Sequence, residues 1–191
     1  MSTLRQRRPS VTDTVKAAAE SIKKTATNAL QSWDDLPPWR RDNVYIQTGY
    51  RQIRGSYAFS ARSLFYVHNE FVNIWSHLLG AIVFAASSAY VYYVVQPRYE
   101  SATGSDVIVF ACFFAGAITC LGMSATFHSL VDHSEAVAKW GNKLDYTGIV
   151  GLIVGSYMPA LYYGFYCEKK LMTLYMTLVS TPSLRRGHWL T

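Results

Sequence analysis

The chain has 191 residues, a formal net charge of +6, and hydrophobic residues at half of its positions. Eleven of the eighteen lysines and arginines precede Ile74, so the charge excludes a nucleic-acid-binding surface spread over the fold. By the positive-inside rule, the same asymmetry predicts a cytosolic N-terminus. Beyond about residue 70 the apolar runs are too long for a soluble domain of this size, which excludes a soluble globular protein.

Residues 1–32 are rich in Ser, Thr, Ala and Lys and show no strong periodicity, which favours a disordered cytosolic tail. Val11, Val15, Ile22 and Leu30 leave open an alternative, a thin apolar stripe on a helix that touches the membrane. No apolar core of about 7–15 residues follows the early arginines, so a secretory signal peptide is not expected.

Residues 33–73 are predicted to form an ordered segment at the cytosolic interface. Two adjacent prolines and a Thr-Gly pair predict turns here rather than one long helix. Towards the end of the segment we expect a short helix over Ser60–Asn73, with Arg62 and His68 facing water.

Residues 74–180 are predicted to form a helix bundle in the membrane. A span takes about 20 apolar residues, and three windows qualify, namely Ile74–Val95, Val107–Val131 and Leu144–Cys167. Leu171–Ser180 is apolar over only ten residues, about half a span at a rise of about 1.5 Å per residue. The predicted fold class is therefore all-α, a polytopic membrane helix bundle with three full transmembrane helices and a partial fourth.

The start of the first span carries three polar residues, Glu70, Asn73 and His77, which share one helical face because they lie three and four positions apart. Two interpretations remain open at this point. They form either a functional polar cluster at the cytosolic mouth of the bundle, or a hydrogen-bonded set that locks the first span to its neighbours.

The second span contains many small residues, which permit close approach between helices. They are Ala111, Ala115, Gly116, Ala117, Gly122, Ser124 and Ala125. The span is expected to end inside, followed by a cytosolic loop over Asp132–Lys143, before the third span begins at Leu144.

This arrangement places His128 and Asp145 at a similar depth, just inside two neighbouring spans, and Ser124 one turn before His128 on the same face. Ionisable groups at such depth are functional-site candidates. A histidine nitrogen is a frequent zinc ligand, but a hydrolytic zinc site needs about three protein ligands. The residues alone leave open a metal site and a structural ion pair. His133 lies five positions after His128 and is expected on another face, in the loop.

Several motifs, in order over residues 35–170, resemble the progestin and adipoQ receptor family, which includes adiponectin receptors and haemolysin III-related proteins. The motifs are LPPWRRDNVYIQTGYR at 36–51, FYVHNEFVNIWSHLLG at 65–80, SATFHS at 124–129 and KLDYTGI at 143–149. Their spelling is closest to the fungal and adiponectin-receptor branch.

The resemblance implies a seven-helix fold with a cytosolic N-terminus, of which this chain matches the first half. It also implies a zinc ion near the cytosolic face, held by a second-helix histidine that matches His128 and by two histidines of an HxxxH on the seventh helix. Ser124 and Asp145 match the serine and aspartate grouped with that zinc, Asp145 acting through a water, and we take both as candidate catalytic residues. Family members are receptors in lipid and metal homeostasis, and some cleave ceramide.

The chain departs from the family after its third span. Residues 181–191 form a polar tail unlike the family, and His188 within it cannot replace the missing zinc ligands. We therefore expect an incomplete zinc site and no independent catalysis by this chain. Two functions remain: a truncated form of a receptor-like or lipid-hydrolysing zinc protein, and a non-enzymatic membrane partner that forms homo- or hetero-oligomers with full-length relatives. Expected ligands are membrane lipids such as ceramide or a sterol, in the plasma membrane or endoplasmic reticulum.

Overall fold

The computed structural model describes residues 10–12, 15–18 and 30–185, with side chains as far as residue 181. From residue 30 onward, two short strands precede five α-helices. The elements are β1 (Leu30–Ser32), β2 (Thr48–Arg51), α1 (Tyr57–Ser63), α2 (Phe71–Tyr90), α3 (Gly104–Leu130), α4 (Glu135–Gly164) and α5 (Lys169–Arg185).

Within the described residues, three helical segments are long and apolar enough to cross a membrane, which confirms the predicted all-α bundle. They are α3, α4 and Phe71–Arg98, in which α2 continues through one π-helical and one 3-10 turn. Packing is sequential, since α2 lies against α3, α3 against α4, and α4 against α5. The bundle therefore brings the start of α2, the end of α3 and the start of α4 to one end, which we call the His128 end.

The predicted loop over Asp132–Lys143 is wrong, because α4 begins at Glu135, well before the predicted start at Leu144. The Ser134 hydroxyl caps the helix by accepting a hydrogen bond from the backbone N–H of Val137. Glu135 also places a negative charge in the first turn, where the helix dipole favours it. The apolar window found only the lipid-facing part of a longer helix.

Helices α3 and α4 approach each other through glycine, as the small residues of the second span predict. A Cβ atom on Gly148 would lie 2.9 Å from the Cα of Cys120, and one on Gly155 would lie 2.5 Å from the carbonyl oxygen of Cys112. A Cβ atom on Gly116, in α3, would lie 3.0 Å from the carbonyl oxygen of Gly151, in α4. We call Gly116, Gly148 and Gly155 the glycine seam. At Gly148 and Gly155 the backbones lie closer than a residue with a Cβ atom would allow without a shift, and at Gly116 a Cβ atom would make a tight contact.

Ahead of the bundle, β1 and β2 pair antiparallel, with Leu30 opposite Arg51. The chain between them makes two 3-10 turns, Trp33–Asp35 and Pro38–Arg40, the second beginning at a proline. Proline suits that position because the first residue of a helix needs no N–H donor. The segment folds back against the His128 end, where the backbone N–H of Gly55 donates to the carbonyl of His133 at 3.0 Å.

The short helix predicted over Ser60–Asn73 is wrong in its extent. Helix α1 begins earlier because the hydroxyl of Ser56 caps it, and it ends at Ser63. His68, expected to face water, is only 6 % exposed, because it lies in the turn that folds under α2.

The two ends of the chain are described in part. In the predicted 1–32 tail, residues 11–12 and 15–18 are helical and residues 30–32 form β1; the remainder of the tail, apart from Ser10, lies outside the described residues. At the other end, α5 continues past the predicted boundary at Ser180 as far as Arg185. The rest of the predicted 181–191 tail lies outside the described residues.

Candidate functional site

The polar side chains of the His128 end come from three helices that meet there. Glu70 precedes the first residue of α2, His128 lies in the last turn of α3, and Asp145 lies in the third turn of α4. The side chains of His128 and Asp145 are 20 % and 23 % exposed, so both are partly shielded by the helices that carry them.

Glu70 contacts His128 directly. Its carboxylate accepts hydrogen bonds from Nδ1 of His128 at 2.8 Å, from Asn73 at 2.8 Å and from Asn69 at 2.7 Å. Burial alone would raise the pKa of Glu70, but the hydrogen bonds from His128 and Asn73 outweigh it and hold the pKa below its usual value. Glu70 is therefore an ionised acceptor that joins α2 to α3.

This contact decides which nitrogen of His128 is available. An ionised carboxylate can only accept hydrogen bonds, so Nδ1 of His128 carries the proton. In the neutral ring, Nε2 then has the free lone pair. Nε2 lies 4.0 Å from Oδ2 of Asp145, a distance too long for a direct hydrogen bond. The ring is thus oriented by one carboxylate and presents its basic nitrogen towards another.

A second hydrogen bond joins the same two helices one turn deeper in the bundle. Nδ1 of His77 lies 2.7 Å from the hydroxyl of Ser124, which is buried. The rings of His77 and His128 stand edge to face with centroids 6.0 Å apart. Glu70 and His77 therefore form the interhelical hydrogen-bonded set that was one of the two interpretations, and both residues contact His128.

Beneath the cluster lies an ion pair that was not expected from the sequence. Arg51 and Asp132 are 3.0 Å apart, with both side chains 0 % exposed. The hydroxyl of Ser60 also donates to the carboxylate of Asp132 at 3.1 Å. Burial lowers the pKa of Arg51, and the attraction of Asp132 opposes that change. Because buried charges need partners, this pair ties the N-terminal segment to the turn that follows α3.

His68 supports Glu70 from the other side. Its Nδ1 accepts a hydrogen bond from the backbone N–H of Glu70 at 3.1 Å, so this nitrogen must be unprotonated. Burial, aided by the nearby charge of Arg51, lowers the pKa of His68 to about 4. A neutral His68 therefore fixes the backbone of the residue that orients His128.

The donor set can be compared with what zinc requires. His128 fits one zinc ligand, since metal-binding histidines commonly donate their other N–H to a carboxylate, as His128 does to Glu70. Within residues 10–12, 15–18 and 30–185, however, no group of three or more His, Cys, Asp or Glu side chains is arranged to hold a metal ion. The described part of the chain thus supplies one ligand of a zinc site and does not supply a complete set.

The sequence identified His128, Asp145 and Ser124 as the site, and the structure places all three at the same end of the bundle. His128 and Asp145 face each other, whereas Ser124 is connected to them through His77. As its spacing predicts, His133 lies apart in the turn after α3, where it stacks on Tyr57 at 4.1 Å.

Two contacts were not found from the sequence, and a sequence signal existed for one of them. Glu70 lies two turns before His77 on the face already singled out, so its reach to the second helix could have been inferred. Asp132 follows His128 by four positions and reads as a loop residue, and only the fold reveals its buried partner Arg51.

Comparison with known proteins agrees with the architecture. The family described as Haemolysin-III related matches residues 65–184. The chain is 41 % identical over 165 residues to the Adiponectin receptor protein of Drosophila melanogaster. It is 39 % identical over 184 residues to the ADIPOR-like receptor IZH2 of Saccharomyces cerevisiae, and 34 % identical over 151 residues to the human Progestin and adipoQ receptor family member 3.

These matches cover most of this chain and a smaller share of the relatives. They include 85 %, 92 % and 78 % of the chain, but 36 %, 58 % and 48 % of the fly, yeast and human proteins respectively. The matched region contains all three apolar helices and the whole His128 end from His68 onward. The chain is therefore an integral multi-pass membrane protein that belongs to the haemolysin III-related family, together with the adiponectin receptors and the progestin and adipoQ receptors.

Proposed function

We propose that this chain carries part of a zinc-dependent, receptor-like function, with the His128 end on the cytosolic side of the membrane. Family membership and the three apolar helices support a receptor-like membrane protein. The observation that carries the zinc proposal is the orientation of His128, whose protonated Nδ1 is held by Glu70 while Nε2 faces Asp145. That arrangement is the one metal-binding histidines commonly adopt, with one ring N–H on a carboxylate and the other nitrogen, 4.0 Å from Asp145, without a direct hydrogen bond to that second acid.

In this proposal each residue of the cluster has a role that its contacts support. His128 would hold zinc through Nε2, and Glu70 would fix the tautomer and the direction of the ring. When bound, zinc supplies Lewis-acid activation of a water and of an amide carbonyl. Asp145, 4.0 Å from Nε2, would take up and return a proton. Ser124, held by His77, forms the polar wall one turn deeper.

The substrate class that we propose is an amide-linked membrane lipid such as ceramide, which would connect the protein to lipid and metal homeostasis. A site at the end of an apolar bundle is reached by a molecule that has a polar head and apolar chains. The remaining zinc ligands would come from outside the described residues, in this chain or in another.

A second candidate function is a non-enzymatic membrane partner of longer relatives. The partial donor set of the described residues favours it, because another chain could supply the ligands that these residues lack. The chain also spans only about a third to just over half of the relatives' length. Co-purification with the yeast relative in mild detergent would support this role, and separation of the two proteins would contradict it.

The zinc proposal is tested by measuring metal content in the chain purified in mild detergent, alone and co-expressed with the yeast relative. We expect zinc in the wild type, none attributable to the chain in His128→Asn, and wild-type content in His133→Asn. His133 is a matched control because it lies in the turn and stacks on Tyr57, away from the cluster. Undiminished zinc in His128→Asn, or no zinc in the wild type under either condition, would contradict the proposal.

The lipid proposal has its own readout. Samples that contain zinc are given ceramide in lipid vesicles, and release of fatty acid is measured. We expect release that is lost in His128→Asn and Asp145→Asn and retained in His133→Asn. Zinc binding without any release would leave the metal site standing and remove the hydrolytic role.

A further inference from the structure

The last turn of α3 ends in carbonyl groups that need partners from outside the helix. In any α-helix the last four carbonyls have no hydrogen-bond donor within the helix. In α3 these belong to residues 127–130. The carbonyl of Leu130 accepts from the backbone N–H of His133 at 2.9 Å, which leaves the carbonyls just before it to be satisfied by other groups.

Arg51 supplies two of the missing donors. Its Nη2 donates to the carbonyl of His128 at 2.6 Å, and its Nη1 donates to the carbonyl of Ser129 at 2.9 Å. A positive charge is favourable at this position because the C-terminal end of a helix carries a partial negative charge. Arg51 lies in β2, so the contact joins positions 77 and 78 residues apart in the chain.

The guanidinium is itself held in place. It pairs with Asp132 at 3.0 Å and donates to the hydroxyl of Ser63 at 2.7 Å, while the side chain is 0 % exposed. The backbone carbonyl of Arg51 accepts from Nη1 of the buried Arg40 at 2.9 Å. Because these contacts restrict the guanidinium of Arg51, it can hold the backbone carbonyls in place. An exposed arginine side chain would be free to change its conformation.

We propose that Arg51 is a positioning residue for His128. This inference rests on the proposed function, in which the direction of His128 Nε2 matters. Glu70 holds the ring of His128, and Arg51 holds its backbone carbonyl, so the two contacts fix the residue from both ends. Helix ends fray when their carbonyls are unpaired. Without Arg51 the last turn of α3 would loosen, and the ring would no longer keep one nitrogen on Glu70 and the other towards Asp145.

The test reads the tautomer of His128 in the full chain, labelled with ¹⁵N-histidine and assigned by comparison with His128→Gln. The decisive variant is Arg51→Met combined with Asp132→Asn, which removes the carbonyl donors without leaving a buried charge unpaired. Its matched partner is Asp132→Asn alone, which keeps the guanidinium on the carbonyls. Arg54→Met is the control in the same segment, because Arg54 is exposed and lies over Phe59.

We expect a single tautomer protonated on Nδ1 in the wild type, in Asp132→Asn and in Arg54→Met. The double variant should show a mixture of tautomers, and its affinity for Zn²⁺ should fall about 10-fold. A folded double variant with the wild-type tautomer and the wild-type affinity would overturn the proposal. Circular dichroism and thermal unfolding establish that the variants are folded.

If the double variant does not fold, Arg51→Lys decides the matter. Lysine keeps the charge beside Asp132 but cannot donate to both carbonyls through a planar fork. A partial mixture of tautomers supports the proposal, and an unchanged His128 signal overturns it. The experiment also separates this inference from the proposed function. A wild-type chain that binds no zinc would contradict the function, while the comparison of tautomers in the metal-free chain would still decide the role of Arg51.

Discussion

The glycine seam and the His128 end hold neighbouring helices together by different physical means. At the seam, α3 and α4 touch backbone to backbone, with Gly155 facing the carbonyl of Cys112. At the His128 end, α2 meets α3 through Glu70 and His128, and the N-terminal segment meets the end of α3 through Arg51. One region is joined by close packing of uncharged atoms, and the other by buried charges and hydrogen bonds.

The two kinds of contact differ in what they contribute to the fold. In lipid, small residues allow helices to associate by van der Waals contact alone, which does not change with pH or salt. Buried ionisable groups add little net stability, and they cost heavily if one partner is lost. They do fix the direction of particular side chains. A functional site needs side chains held in fixed directions, and the His128 end provides them. The glycine seam holds the neighbouring helices together by close packing.

The largest effect should come from breaking the buried ion pair. Among the described residues, Arg51→Met leaves the buried carboxylate of Asp132 with the Ser60 hydroxyl as its one side-chain donor. We expect a loss of about 3–5 kcal/mol in the free energy of unfolding, measured by denaturant titration in detergent. Arg54→Met, at an exposed site, should change it by less than about 0.5 kcal/mol. Equal losses in the two variants would show that the buried ion pair contributes no more to stability than an exposed arginine does.

The next effect is a dependence on pH at the His128 end that the glycine seam should not show. The pKa of His68 is about 4 in the folded chain, below its usual value of 6.5, because the ring is buried and close to Arg51. Its contribution to stability is therefore complete above pH 6.5 and lost as the pH falls towards 4, on the order of 3 kcal/mol in total.

The matched variant for this prediction is His68→Asn, whose side-chain oxygen can still accept from the N–H of Glu70 but cannot be protonated in this range. Unfolding measured between pH 7 and pH 4 should show a steeper loss in the wild type than in the variant. Parallel curves would place the pH dependence elsewhere in the chain.

A smaller effect is expected at the glycine seam. Gly155→Ala places a Cβ against the carbonyl oxygen of Cys112, so α3 and α4 must separate. Overpacking of this kind costs about 1–3 kcal/mol. Gly151→Ala is the matched control, because a Cβ there meets nothing within 4 Å. The loss in the free energy of unfolding caused by Gly155→Ala should be the same at pH 5 and pH 7. A loss that depends on pH would contradict the distinction between the two regions.

The smallest effect concerns the hydrogen bond between His77 and Ser124. Ser124→Ala should cost about 1 kcal/mol or less, the usual value for an interhelical hydrogen bond in a membrane. Ser129→Ala is the control, since that hydroxyl bonds only within α3, to the carbonyl of Ala125. A double-mutant cycle with His77→Leu measures the coupling. No coupling energy would mean that this contact does not help to join α2 and α3.

Much of the fold could be predicted because its signals are local. Apolar runs located the three membrane helices, and small residues predicted the close packing realised at Gly116. Helix ends were less accurate, because a window of apolar residues ends where polarity begins and not where the hydrogen bonding stops. The Ser134-Glu135 pair was a local signal for the true start of α4, and it lay inside the stretch predicted to be a loop.

The sequence singled out the candidate residues but not the contacts that surround them. His128 and Asp145 stand out because ionisable groups are rare in apolar helices. The contacts made by Arg51 and His68 depend on a long-range fold in which the N-terminal segment returns to the end of α3. Residues of that segment look like solvent-exposed polar residues in the sequence, because no periodicity marks which of them become buried.

The central claim is that His128 is a metal ligand through Nε2, oriented by Glu70. The most direct measurement is the ¹⁵N spectrum of histidine-labelled chain before and after addition of Zn²⁺, in the presence of the yeast relative. We expect His128 to remain protonated on Nδ1 while its Nε2 signal shifts, with His133 unchanged. Loss of the proton from Nδ1 on addition of Zn²⁺, or no shift at His128 at all, would contradict the account.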